Sequence, residues 1–226
     1  MSDSTAASLQ RGVIVEFDFA VLPGHKLMLD ICQTRLAQDG ITLDEQLMAR
    51  MMNGKSFSSA LNVLSKIVKK PIETSEITSE CYPLFEEVLK KETAKTPSGF
   101  TAFIKALHAK NLKTVILTRA DPEVVQEALA DLKGDNLVVS RDTASGFGFY
   151  SWDAWSRAAR DHDLIERLCV AVVGSGYSVK AAMISGMGII AKPNPLTEHQ
   201  DFGGCDAVID KLSASVADEV FRILHL

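Results

Sequence analysis

Between residues 12 and 24 an apolar run, Gly12-Val13-Ile14-Val15, ends in two carboxylates one residue apart, Glu16 and Asp18, and is closed by Pro23-Gly24. A short apolar run bounded by turn signals reads as a buried strand of a parallel sheet. Ligands of open α/β sheets sit just past the carboxyl ends of the strands. Glu16 and Asp18 therefore fall where an active site is expected. This reading places a first strand over 12–18, after a polar, disordered lead-in at 1–11.

The rest of the chain divides by period. From His25 to about Lys95, apolar residues such as Leu29, Leu36, Leu47, Leu61 and Leu64 recur at threes and fours, the helical spacing. Thr42 and Ser56 fit helix starts, and Asp39-Gly40 and Asn53-Gly54 fit helix ends. A further helix is expected from Ser75 to Lys91, and the Met48, Met51, Met52 stripe reads as packing. Beyond Pro97 strands and helices alternate. Val115–Thr118, Leu137–Ser140, Leu168–Val173, Gly188–Ala191 and Ala207–Ile209 read as strands, separated by helical stretches and followed by a closing helix near Leu224. Alternation of this kind implies a parallel sheet with helices on both faces. The domains expected are a core from 12–24 and 96–226, interrupted by an all-helical insertion at 25–95.

Composition excludes several classes. A net charge of -5 argues against nucleic acid as a partner, and the cluster Lys66, Lys69, Lys70 reads as a solvated helix face. No run approaches the roughly 18 apolar residues of a membrane span. Cys32, Cys81, Cys169 and Cys205 lie far apart without a Cys-x-x-Cys pair, so neither zinc nor a disulfide framework is indicated. With no signal-peptide pattern at the start, a cytoplasmic location is expected.

The order of these elements resembles the haloacid dehalogenase superfamily, in the helical-cap branch of beta-phosphoglucomutase and phosphoglycolate phosphatase. The resemblance rests on Ile14-Val15-Glu16-Phe17-Asp18, Gly54-Lys55-Ser56, Pro97-Ser98-Gly99-Phe100, Thr118 at a strand end, and Val172-Val173-Gly174 with Val179-Lys180-Ala181-Ala182. It implies a Rossmann-type core with a helical cap. It also implies a phosphoryl-transfer chemistry of positioning and charge neutralisation: a nucleophilic Asp, a second Asp as acid/base, a Ser or Thr and a Lys on the phosphoryl group, and a fourth-motif acid helping to hold Mg²⁺.

Placed on this chain, those roles are only partly filled. In one register Glu16 takes the nucleophile position and Asp18 the acid/base position, with one extra residue before Val21-Leu22. Glu is a methylene longer, and a misplacement of about an ångström costs roughly 100-fold. In the other register Asp18 is the nucleophile and Ala20 replaces the acid/base. Thr118 is retained. Arg119 follows it, either as an anion ligand or turned away onto an acid such as Asp121. Phe149 stands at the lysine position, and Gly174-Ser175-Gly176 supplies no carboxylate for a metal.

The function expected is binding of a small anionic ligand, through Thr118, Arg119 and Ser175, or of a protein partner, on a dehalogenase-type fold whose phosphatase motifs are degraded. No cofactor is expected. The alternative is an active hydrolase using Asp18, with Mg²⁺. The aromatic stretch Phe147, Phe149, Tyr150, Trp152 is a candidate to fill the former phosphate cleft, with helix packing by Trp152 and Trp155 as the plainer reading. Gly174-Ser175-Gly176 as a dinucleotide loop is a weak match. His108 and His162 read as exposed helix residues.

Overall fold

A computed structural model describes residues 10–47, 57–132, 134, 136–142 and 151–226. The Met48, Met51, Met52 stripe, the Gly54-Lys55-Ser56 segment and the aromatics Phe147, Phe149 and Tyr150 lie outside the described residues.

Five apolar runs form strands, and a two-residue segment adds a sixth: β1 (Gly12–Glu16), β2 (Lys113–Thr118), β3 (Leu137–Arg141), β4 (Cys169–Val173), β5 (Gly188–Ala191) and β6 (Ala207–Val208). They make one parallel sheet in the order β3-β2-β1-β4-β5-β6. β1 is buried along its whole length, with Ile14 opposite Val115 on one side and Ala171 on the other. The strand order reverses between β1 and β4, so the crevice of this sheet opens at their carboxyl ends.

After β1 come α1 (Gly24–Gln38), α2 (Phe57–Val68) and α3 (Thr74–Thr93). Then α4 (Ser98–His108), α5 (Pro122–Ala128), α6 (Trp152–Arg160), α7 (Gly176–Ile184) and α8 (Val216–Ile223) alternate with the strands. α4 packs with α8 and α6 with α7, which sets the two helical layers of the core. In the insertion, α3 buries Ile77, Cys81, Phe85 and Leu89, one per turn, against α1, which buries Met28, Leu29, Cys32 and Leu36. Cys32 and Cys81, distant in sequence, meet there as buried free thiols. α3 also reaches α5 of the core.

The structure departs from the sequence reading at several places. The first strand ends at Glu16, and Phe17–Val21 wind into a π-helical turn closed by Leu22 N–H donating to the Phe17 carbonyl at 2.9 Å. The extra residue expected before Val21-Leu22 is absorbed by that five-residue bond, so Asp18 sits in a turn and not at a strand end. Gln10, which the sequence reading gave to the lead-in, is tied to the core, its carbonyl accepting from Ile165 N–H at 3.0 Å. Asp44, not Thr42, caps the next helical segment, accepting from Leu47 N–H at 2.7 Å. His108 and His162 are half-buried. Trp155 is fully buried, whereas Trp152 is 51% exposed and fills no interior space.

The π-turn is seated on two glycines. A Cβ at Gly24 would strike the Asp18 carbonyl oxygen, and one at Gly174 would lie 2.7 Å from the Phe19 carbonyl carbon and closer still to its oxygen. Gly174→Ala is therefore expected to destabilise the protein by about 1–3 kcal/mol. Gly134→Ala, where the space is open, should stay within about 0.5 kcal/mol. Urea denaturation midpoints at unchanged slope measure both.

Candidate functional site

The carboxyl ends of β1, β2 and β4 bring four of the five expected site residues, Glu16, Asp18, Thr118 and Ser175, into one place, all with no solvent exposure. Asp18 points along the sheet towards β2. The Thr118 hydroxyl donates to Asp18 Oδ1 at 2.6 Å and Arg119 N–H donates to Oδ2 at 2.8 Å. Thr118 Oγ1 also accepts from Ala120 N–H at 3.0 Å. The hydroxyl and amide at the end of β2 thus hold an internal carboxylate, in the place the resemblance gives to a phosphoryl group.

Glu16 points the other way, across the switch point. Gly174 N–H donates to Glu16 Oε2 and the Ser178 hydroxyl to Oε1, each at 2.6 Å. Ser175 caps α7, its hydroxyl oxygen accepting from Ser178 N–H at 3.1 Å while the hydroxyl donates to Ser178 Oγ at 3.0 Å. Ser178 was not singled out from the sequence. The Ser175-x-x-Ser178 spacing at a helix start was the available signal. Burial pushes the Glu16 carboxyl up to about 7, against the lowering effect of the Ser178 and Gly174 hydrogen bonds.

Arg119 is buried and directed inward, 3.3 Å from Asp142, which also meets Arg157 at 3.3 Å. Asp121, the surface acid considered for it, instead caps α5 by accepting from Glu123 N–H. Tyr82 of α3 lies beside Arg119 and Glu86, and Glu86 pairs with Arg141 at 3.1 Å. Burial, then the Glu86 charge, push the Tyr82 phenol up. The helical insertion is thereby joined to the core by a charged seam.

The roof of the site is aromatic. Phe19 of the π-turn is buried between Phe85 of α3, stacked at 6.1 Å between centroids, and His25, tilted at 4.6 Å. Asn194 Nδ2 donates to His25 Nδ1 at 2.9 Å. Burial, with the Lys192 charge adding to it, lowers His25 to about 3, so the ring is neutral at physiological pH. Phe19 and Phe85 thus bring the first motif and α3 into contact between insertion and core.

Mg²⁺ needs near-octahedral oxygen ligation, with carboxylates free to bind it. Here both oxygens of Glu16 and both of Asp18 accept protein hydrogen bonds. In one register the fourth-motif acid falls at Ser175, which caps α7, and in the other at Gly174, where a side chain would meet the Phe19 backbone. Among the described residues no cluster of three His, Cys, Asp or Glu side chains is arranged to hold a metal. The residues present do not fit the ion.

Two outcomes follow from this geometry. The unfolded chain holds Glu16 near its ordinary 4.5 while the folded state holds it at about 7. Between those values the folded state binds more protons, so stability present below pH 4.5 is lost as pH rises through 7, by an amount on the order of 3 kcal/mol. Glu16→Gln should flatten that part of the stability–pH curve, read by denaturant midpoints from pH 5 to 8. Phe85→Ala should cost about 3–5 kcal/mol by opening a cavity under Phe19, read by the same measurement at fixed pH.

No family model matches the chain, and no curated protein does. Solved structures do. The chain is similar to a putative beta-phosphoglucomutase from Bacteroides vulgatus, with a TM-score of 0.70 and 14% identity, over 97% of this chain and 92% of that one. It is similar to beta-phosphoglucomutase from Clostridium difficile, with a TM-score of 0.69 and 11% identity, over 96% and 99%. It is also similar to CbbY from Rhodobacter sphaeroides in complex with phosphate, with a TM-score of 0.63 and 15% identity, over 90% and 95%. With its parallel six-stranded sheet and helical insertion after β1, the chain has the haloacid-dehalogenase-like α/β fold of the beta-phosphoglucomutase type.

Proposed function

We propose that this chain is a haloacid-dehalogenase-fold protein that binds a small anionic ligand or a protein partner and does not perform Mg²⁺-dependent phosphoryl transfer. The observation that carries the reading is the occupation of the Thr118 hydroxyl and the Arg119 amide by the Asp18 carboxylate. Such charge-assisted bonds contribute roughly 1.5–3 kcal/mol each. A phosphate would have to displace Asp18 and leave it buried beside a second anion, which is unfavourable. The committed oxygens of Glu16 and the closed position at 174 support the same reading from the metal side. Free cysteines fit a reducing compartment such as the cytoplasm. Among the described residues no helix is long and apolar enough to cross a membrane.

The neighbours solved with phosphate and with xylulose-(1,5)bisphosphate make phosphorylated metabolites the first class to try. The test is phosphate release from a panel of sugar and organic phosphates with millimolar Mg²⁺, alongside calorimetric titration of Mg²⁺. The expected result is no turnover and no saturable Mg²⁺ binding. Release that disappears in Asp18→Asn or Glu16→Gln would establish the other reading, an active hydrolase using Asp18.

A further inference from the structure

The four free cysteines are not alike. Cys169 Sγ donates to the Ile165 carbonyl at 3.3 Å and Cys205 Sγ to the Phe202 carbonyl at 2.9 Å, so each of these thiols is satisfied within its own segment. Cys32 and Cys81 are both at 0% exposure and meet across the contact between α1 and α3. A second set of contacts fixes the same juxtaposition. Arg35 follows Cys32 by three residues, on the same side of α1. Its Nε donates to Glu80, the residue before Cys81 on α3, and its guanidinium also lies 3.8 Å from Glu76. Leu29 and Leu36 of α1, and Ile77 and Phe85 of α3, are the buried neighbours one turn to either side. The two sulfurs therefore sit inside the helical seam and not at its edge.

The thiols are chemically distinct. Interaction with Cys81, then burial, raises the Cys32 thiol. Interaction with Cys32 lowers Cys81, and the Arg35 charge acts in the same direction against burial. Cys81 is thus the sulfur that reaches the thiolate first, and the thiolate is the nucleophile. Passing from thiol contact to an S–S bond of about 2 Å takes a shift of roughly an ångström or two.

We propose that Cys32 and Cys81 form a site of reversible oxidation that staples α1 to α3, with a hydroperoxide as the oxidant. With hydrogen peroxide, the Cys81 thiolate attacks one peroxide oxygen and the O–O bond breaks. Cys81 becomes a sulfenic acid, and the departing hydroxide takes up the proton that Cys81 released. The Cys32 sulfur then attacks the Cys81 sulfur and the S–O bond breaks. Cys32 loses its proton and a second water leaves. In sum two thiols give up two electrons to one peroxide, which is reduced to two waters. An oxidant of nearly the size of water reaches the buried pair through local opening of the seam. The bond closes a loop that contains α2. It joins the helix leaving the π-turn to the helix that carries Phe85 and Tyr82, so the oxidised insertion is the more rigid one. The inference goes beyond the binding reading above and does not depend on it.

The experiment exposes the reduced full chain to hydrogen peroxide in native buffer, then maps linked peptides by mass spectrometry and measures the melting temperature. The expected product is a monomer lighter by two hydrogens, with two of its four thiols lost and Cys32 linked to Cys81. Its melting temperature should rise by roughly 5–10 °C, and dithiothreitol should reverse every change. Cys205→Ser should leave this behaviour intact, whereas Cys81→Ser should abolish both the mass loss and the rise. Peptide mapping of the unsubstituted chain decides the matter if Cys81→Ser does not fold. Finding Cys32 and Cys81 both still reduced after Cys205 has fully oxidised would overturn the proposal. So would linkage through Cys169 or Cys205, sulfinic acid without linkage, or a linked chain whose melting temperature has not risen.

Discussion

The contact between the π-turn and the end of β4 governs the rest of this molecule. By winding Phe17–Val21 with a five-residue bond, the chain lowers the Phe19–Ala20 backbone onto Gly174 and turns Asp18 towards β2. π-turns are rare and concentrate at functional positions because they place one extra residue without breaking the neighbouring elements. Here the extra residue supplies both the roof, Phe19, and the room for Asp18 to reach Thr118. Glu16, one residue before the turn, is left facing α7, where two donors hold it. Two carboxylates separated by one residue are thereby kept apart, one held at the end of β2 and the other at the start of α7.

The seam between insertion and core follows from the same placement. Phe19 meets Phe85, and the charged chain from Arg119 through Tyr82, Glu86 and Arg141 ties α3 to the ends of β2 and β3. Arg119 is thus both the amide donor to Asp18 and a buried cation set against Asp142. Buried ion pairs of this type contribute less to net stability than to fixing one arrangement among several. An arginine immediately after Thr118 suits that role, since its planar fork can address Asp142 while the backbone amide addresses Asp18.

Much of the fold was legible because periodicity reports burial directly. The all-apolar runs of β1 and β4, the four-residue spacing of Ile77, Cys81, Phe85 and Leu89, and the helix end at Asp39-Gly40 are local signals of packing. The residues at the site were legible as candidates, since two carboxylates at a strand end and a threonine at another are local features too. What they bond to was not. Whether Asp18 turns to Thr118 or Glu16 to Ser178 depends on the hand of a turn with no compositional signature. The pairing of Arg119 with Asp142, and of Cys32 with Cys81, joins residues whose proximity is set by tertiary packing. Phe19 gave no warning either, because a phenylalanine in an apolar stretch looks the same whether it lines a cleft or fills one.

Gly174 has a consequence for how sequences of this kind can change. An acidic side chain there cannot be seated while the Phe19 carbonyl occupies its volume. Shortening the segment before Val21 by one residue would free the volume first. Position 174 and the path of the Phe19–Ala20 backbone are therefore coupled, so that a side chain at one excludes the present course of the other.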